Sequence, residues 1–323
     1  MCGKSMKEDL HIMPPAEETS TATVAVIDVG SNTIRALAGR KTGDGRVVVY
    51  GDDFVHSGLG RGLTETGRLP AEAITTTAQF VRDFLSQHGP FDAVHCVGTA
   101  APREAGNTGE LAEALSVLGV ELDVISGLQE ARLTAAGALS MLPDLDADPV
   151  AIIDIGGRSS EISLKSGQRI QVKSLPVGAA EMTEKYLHSD PPVEREMQTL
   201  HAAAREALGK QQAMVRDAEA LVGAGGTAVS VALMENNWQP SLEAVKKLTQ
   251  RLSGVGLSER RKVMQFDPQR ADVILGGLAL VEAFVRIGAT DTIHVSLGGI
   301  REGVLLNRVG ATEIVWKTRP GSE

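Results

Sequence analysis

The stretch Val150-Ala151-Ile152-Ile153-Asp154-Ile155-Gly156-Gly157-Arg158-Ser159-Ser160-Glu161 decides how this chain folds. An apolar run before paired glycines predicts a buried strand ending in a tight turn, and Ile162-Ser163-Leu164 predicts a strand leading away. Glycines let backbone N–H groups approach an anion, and the serine hydroxyls add donors. Asp154 and Glu161 frame the turn, which suits a hydrated Mg²⁺ held by one or two carboxylates beside a substrate phosphate. By itself the stretch reads equally as a plain β-hairpin with an acidic rim.

The same pattern stands earlier. Thr23-Val24-Ala25-Val26-Ile27 runs into Asp28-Val29-Gly30-Ser31-Asn32-Thr33, followed by predicted strands at Ile34–Ala38 and Arg46–Tyr50. Asp28 and Asp154 lie 126 positions apart, one domain's length, so an internal repeat predicts two similar halves facing each other. Two further apolar runs end in glycine loops that open helices, Gly223-Ala224-Gly225-Gly226-Thr227 and Ser296-Leu297-Gly298-Gly299-Ile300. Such a helix start offers N–H groups to an anion. Helical spacing marks Ala71–His88, the segment from Ser126 to about Met141, Val193–Asp217 and Arg270–Ile287, and Pro143–Pro149 reads as the joint between halves. The expected organisation is a mobile tail over 1–22, a first α/β half over 23–133, a second over 134–318 and a tail over 319–323.

Length and composition agree with two soluble domains. At 323 residues, 42% hydrophobic and 23% charged, the chain can bury two cores, and 3% aromatics leaves Ala, Val, Leu and Ile to build them. The net charge of −9 argues against a dedicated nucleic-acid binder, although a single groove could still collect Arg and Lys for a polyanion. Cys2 and Cys96 alone give neither a disulfide framework nor a metal pair. No apolar run reaches membrane-spanning length and no leader pattern is visible, so a cytoplasmic protein without a membrane partner is expected.

The paired Asp-Gly turns resemble those of the actin, sugar-kinase and heat-shock-70 fold, which implies two actin-like (ribonuclease H-like) α/β domains with phosphate in the cleft between them. A closer resemblance is to the exopolyphosphatase / guanosine pentaphosphate phosphohydrolase (Ppx/GppA) family. Seven motifs in order carry it: Asp28–Thr33, Gly98–Asn107, Ile125–Arg132, the stretch around Asp154, Gly223–Thr227, Arg270–Ile274 and Gly298–Leu305. The resemblance implies that Glu130 activates the attacking water, and that Asp154 and Glu161 serve the Mg²⁺ and the water. It implies phosphate contacts from Gly30, Ser31, Asn32, Thr33, Arg103, Gly156, Gly157, Ser159, Gly225 and Gly226. The implied substrates are inorganic polyphosphate or a guanosine alarmone such as guanosine pentaphosphate, and a homodimer through the second half is the family-based expectation.

Two positions depart from the family pattern. Arg158 stands where a third glycine is usual, and Gln129 where a further glutamate is usual. Arg158 could add a phosphate contact or fill the pocket, and both changes make the cleft more positive. The helical extension of longer family members does not follow the second half, which implies less processive action on long chains. A phosphohydrolase is therefore weighed against a low-activity polyphosphate- or alarmone-binding regulator of the same fold, with an ATP-dependent kinase as a third reading.

Overall fold

The computed structural model describes residues 20–317. Its first sheet opens with three antiparallel strands, β1 (Ser20–Val29), β2 (Thr33–Thr42) and β3 (Val47–His56), and continues with β4 (Ala93–Gly98) and β5 (Leu122–Val124) parallel to β1. The second sheet repeats that plan. In it β6 (Val150–Ile155), β7 (Ser160–Ser166) and β8 (Arg169–Leu175) form the antiparallel set, and β9 (Ala220–Ala224) and β10 (His294–Val295) run parallel to β6. The orders β3-β2-β1-β4-β5 and β8-β7-β6-β9-β10 are the same, so the two similar α/β halves read from the sequence are present.

The unbroken apolar runs follow from burial on both sheet faces. Along β1, Ala25, Ile27 and Val29 pack with Ile74, Val81 and Phe84 of the helix Ala71–His88, while Val24 and Val26 pack with Ile300, Val304 and Leu305 on the other face. Along β6, Ala151, Ile153 and Ile155 join the core around the helix Ile274–Ile287, and Val150 and Ile152 meet Ala135 and Ala138. The helix Gly127–Ser140 serves both halves, since its Leu133 packs with β1 and its Ala135 and Ala138 with β6. Against it lies the short helix Ile300–Val304, and the contact is glycine-dependent. A Cβ at Gly137 would collide with the Gly299 carbonyl, and one at Gly303 with the Leu133 carbonyl.

Several boundaries differ from expectation. β1 begins at Ser20, so the predicted tail over 1–22 gives up its last residues to a strand; 1–19 and 318–323 lie outside the described residues. The helix expected over Val193–Asp217 breaks into Glu194–Gly209 and Gln212–Val215. The one expected over Arg270–Ile287 begins as a 3₁₀ turn, Pro268–Asp272, capped by the Asp267 side chain. The chain end, assigned from sequence to the second half, crosses back instead. Strand β11 (Ile314–Trp316) pairs in parallel with β3 and extends the first sheet to six strands. The cause is apolar surface, because Ile300, Val304 and Leu305 complete the otherwise open second face of β1. Among the described residues no helix is long and apolar enough to cross a membrane.

Candidate active site

Strand register places the acidic residues. Asp28 of β1 is opposite Arg35 of β2, and in the second half Asp154 of β6 is opposite Glu161 of β7. Arg35 thus occupies the position in the first half that Glu161 occupies in the second. Both turns meet at a cavity of about 130 Å³. Of the residues expected from sequence, Gly30, Ser31, Asn32, Thr33, Glu130, Asp154, Gly156, Gly157, Ser159, Gly225 and Gly226 line it.

The loops are held by their own hydrogen bonds. Ser31 Oγ accepts from the Ala101 N–H at 3.2 Å, and Gly156 N–H donates to the Ser159 carbonyl at 3.0 Å. The helix Gly225–Glu235 directs its N-terminus, with Gly225, Gly226 and Thr227, at the cavity. Gly225 has φ +77°, and any Cβ there would strike the Asp154 carboxylate; a Cβ on Gly226 would strike the Arg270 guanidinium. Both glycines are required so that a carboxylate and a guanidinium can approach the helix start.

Glu130 lies in the first turn of the helix Gly127–Ser140 and is buried. Arg103 Nη1 donates to its Oε2 at 3.1 Å and to the Ile125 carbonyl at 2.9 Å. Burial, then the charge of Glu161, pushes the Glu130 carboxyl well above the usual carboxylate range, with Arg103 pulling the other way. Glu161 is raised to about 8 by burial and by Asp154, against a hydrogen bond from Ser174 Oγ at 2.8 Å. Asp28 is raised to about 7, chiefly by burial, and its Oδ1 is shut away from solvent with no hydrogen-bond partner.

Three arginines answer this negative charge. Arg35, Arg270 and Arg301 all line the cavity, and burial followed by the charges of Arg301 and Arg270 lowers Arg35 to about 10. Arg301 is anchored by Asp52. Arg270 Nε donates to Asp267 Oδ2 at 2.9 Å, and Asp267 Oδ1 pairs with His56 Nε2 at 2.8 Å. His56 Nδ1 in turn lies 3.1 Å from Thr33 Oγ1 and 3.4 Å from Asn32 Nδ2. A half-buried polar chain therefore joins the first phosphate loop to Arg270 across the cleft.

Four expectations are revised. Arg158 does not enter the cavity. Its Nε donates to Glu104 Oε2 at 2.9 Å and its Nη2 to Thr64 Oγ1 at 3.1 Å, so it neither occludes the pocket nor adds a contact there. Gln129 also points away, closing a capping box in which its Oε1 accepts from the Ser126 N–H at 2.9 Å. Arg103, expected on phosphate, holds Glu130 and does not line the cavity. Glu161 also stands behind the wall, 2% exposed. Asp28, Arg35, Arg270 and Arg301 were missed as site residues, although Asp28, Arg270 and Arg301 fall within quoted motifs.

The comparisons with known proteins point the same way. The model of the Ppx/GppA phosphatase family matches residues 50–311. "Exopolyphosphatase 2" of Mycobacterium tuberculosis is 32% identical over 318 residues, covering 89% of this chain and 98% of the relative. Among solved structures, an exopolyphosphatase from Cytophaga hutchinsonii superposes with a TM-score of 0.81 at 25% identity, covering 89% of this chain and 98% of its own. The Aquifex aeolicus Ppx/GppA family member superposes at 0.72 with 28% identity, covering 89% and 97%. With the duplicated sheets and the facing Asp-Gly turns, these matches establish that the chain belongs to the Ppx/GppA phosphatase family.

Proposed function

We propose that the protein is an exopolyphosphatase that removes terminal phosphate from inorganic polyphosphate by water attack in the cleft, assisted by Mg²⁺. The observation that supports this most is the placing of Glu130. It is a buried carboxylate of raised basicity, set at the wall of a cavity whose other walls are built for anions. A base for water needs raised proton affinity and a place within reach of the reacting phosphorus, and burial with the charge of Glu161 supplies the first. Phosphoryl transfer otherwise needs positioning and charge neutralisation. Arg35, Arg270 and the N-terminus of the helix Gly225–Glu235 supply positive character for both.

The acidic residues fit a divalent cation. Asp28 carries an oxygen without a partner and lines the cavity together with Asp154, so two carboxylates are available on its wall. Mg²⁺ is commonly bound through one or two carboxylates and substrate phosphate oxygens. Asp154 and Asp28 would hold it, with Glu161 behind them, and when bound it would neutralise charge on the phosphoryl oxygens. The regulator reading drew on Arg158 and Gln129, and both side chains turn away from the cavity.

The test is phosphate release from polyphosphate with Mg²⁺ by the parent and by Glu130→Gln. Release should fall by about 10²–10⁴-fold in the variant while polyphosphate binding persists. Unchanged release would remove Glu130 from the chemistry, and a parent that binds without release would favour the regulator.

A further inference from the structure

The anion-lined cavity, at about 130 Å³, is smaller than the ~300–1,000 Å³ of ordinary ligand pockets. It has room for the reacting end of a phosphate chain and little beyond it. A second cavity, of about 760 Å³, adjoins it and shares Ser31, Asn32 and Val273 as a common wall. Arg61, Arg158 and Arg261 stand on this second wall, and its one aromatic ring is His56, whose nitrogens are tied to Asp267 and Thr33. A nucleoside is ordinarily held by an aromatic platform or an apolar slot. Arginines beside an anion site fit a row of phosphates instead.

The three arginines differ in availability. Arg261 is forked onto Asp272, with Nε and Nη2 at 3.1 and 2.9 Å from Oδ1. Arg61 is exposed, and Arg158 is held by Glu104, whose side chain is 38% exposed and free to hydrate if released. Of the carboxylates on the wall, Asp272 is taken by Arg261. Burial and nearby Glu65 push Glu184 above the usual range against the pull of Arg158 and Arg61.

We propose that the second cavity is the subsite for the phosphates beyond the reacting one, with Arg158 and Arg61 as their ligands. A bound chain displaces Glu104 from Arg158, exchanging one carboxylate for a phosphate. This rests on the polyphosphate reading of the cleft and adds to it a residue-level basis for holding the phosphates behind the reacting end.

The experiment measures kcat/KM on tripolyphosphate and on long-chain polyphosphate for the parent, Arg158→Gly and Arg61→Ala. The long-to-short ratio should fall about tenfold in each variant, the scale of one lost charge-assisted contact. In parallel, calorimetry on Glu130→Gln protein, with and without Arg158→Gly, should show about a tenfold loss of long-chain affinity. Glu104→Gln, which frees Arg158, should raise that affinity by about threefold, a gain that damage to the fold would not produce. An unchanged ratio in both folded variants overturns the subsite and leaves phosphate release standing. Loss of affinity for guanosine pentaphosphate with long-chain affinity intact overturns it too, by giving the cavity to a nucleoside. A parent that releases no phosphate refutes the hydrolase reading, and the calorimetry then decides the subsite alone.

Discussion

Replacing Asp267 with alanine should loosen the link between the halves and the phosphate loop together. Its side chain is 12% exposed and carries two charge-assisted contacts, with His56 at 2.8 Å and with Arg270 at 2.9 Å. Without it Arg270, 11% exposed, is left beside Arg35 with no carboxylate of its own. Breaking a buried pair from one side costs about 3–5 kcal/mol. At ~2.1 cal/mol/K of unfolding entropy per residue, that lowers Tm of a chain this long by about 4–7 °C. Asp267→Asn keeps an acceptor and should lose about half as much. The cost also depends on pH. Burial alone would raise the Asp267 carboxyl, but the His56 hydrogen bond and the Arg270 charge outweigh it and hold it at about 2. A depressed folded pKa gives stability that is complete above the unfolded value of about 3.9 and is lost as pH falls through the folded one. The gap between parent and Asp267→Ala should therefore narrow by about 1–2 kcal/mol from about pH 5 to about pH 2, the figure reduced for partial solvent screening. Thermal melts across that range make the measurement. An alanine variant melting within about 2 °C of the parent at neutral pH, or a gap that widens in acid, would refute the reasoning.

Other expected outcomes are as direct. Arg103→Met removes the cation that opposes burial at Glu130, so the acidic limb of the kcat/KM profile should move to higher pH, and Glu130→Gln should abolish that limb. Gly303→Ala drives a Cβ into the Leu133 carbonyl, where backbone must move, and should cost about 3 kcal/mol by chemical denaturation. Gln129→Glu preserves the capping box and should leave Tm within about 1 °C of the parent, whereas Gln129→Ala should lower it.

The two halves were legible because strand, aspartate and glycine turn recur in order, and burial on both sheet faces makes β1 and β6 continuous apolar runs. Glu130 was legible through its motif. The direction of the Arg158 side chain was not legible, because a turn fixes where a residue sits and leaves open where a long side chain goes. Glu104, 54 positions earlier and in the other half, draws it out of the pocket. Arg35 left a signal in the spacing of the first hairpin, since it is the register partner of Asp28, but its effect depends on Arg270 and Arg301 arriving from distant segments. Strand β11 is three residues long and pairs with Val47–Val49, a contact that no local pattern announces. The same holds for the second cavity, whose arginines come from both halves.

The central claim is that water, activated at Glu130, cleaves the terminal phosphoanhydride of polyphosphate in this cleft. Its most direct test is hydrolysis of long-chain polyphosphate with Mg²⁺ in heavy-oxygen water, followed by mass spectrometry of the products. The account predicts free orthophosphate carrying a single solvent oxygen from the parent, and close to none from Glu130→Gln. Release without solvent oxygen, or equal labelled release from both proteins, would contradict it.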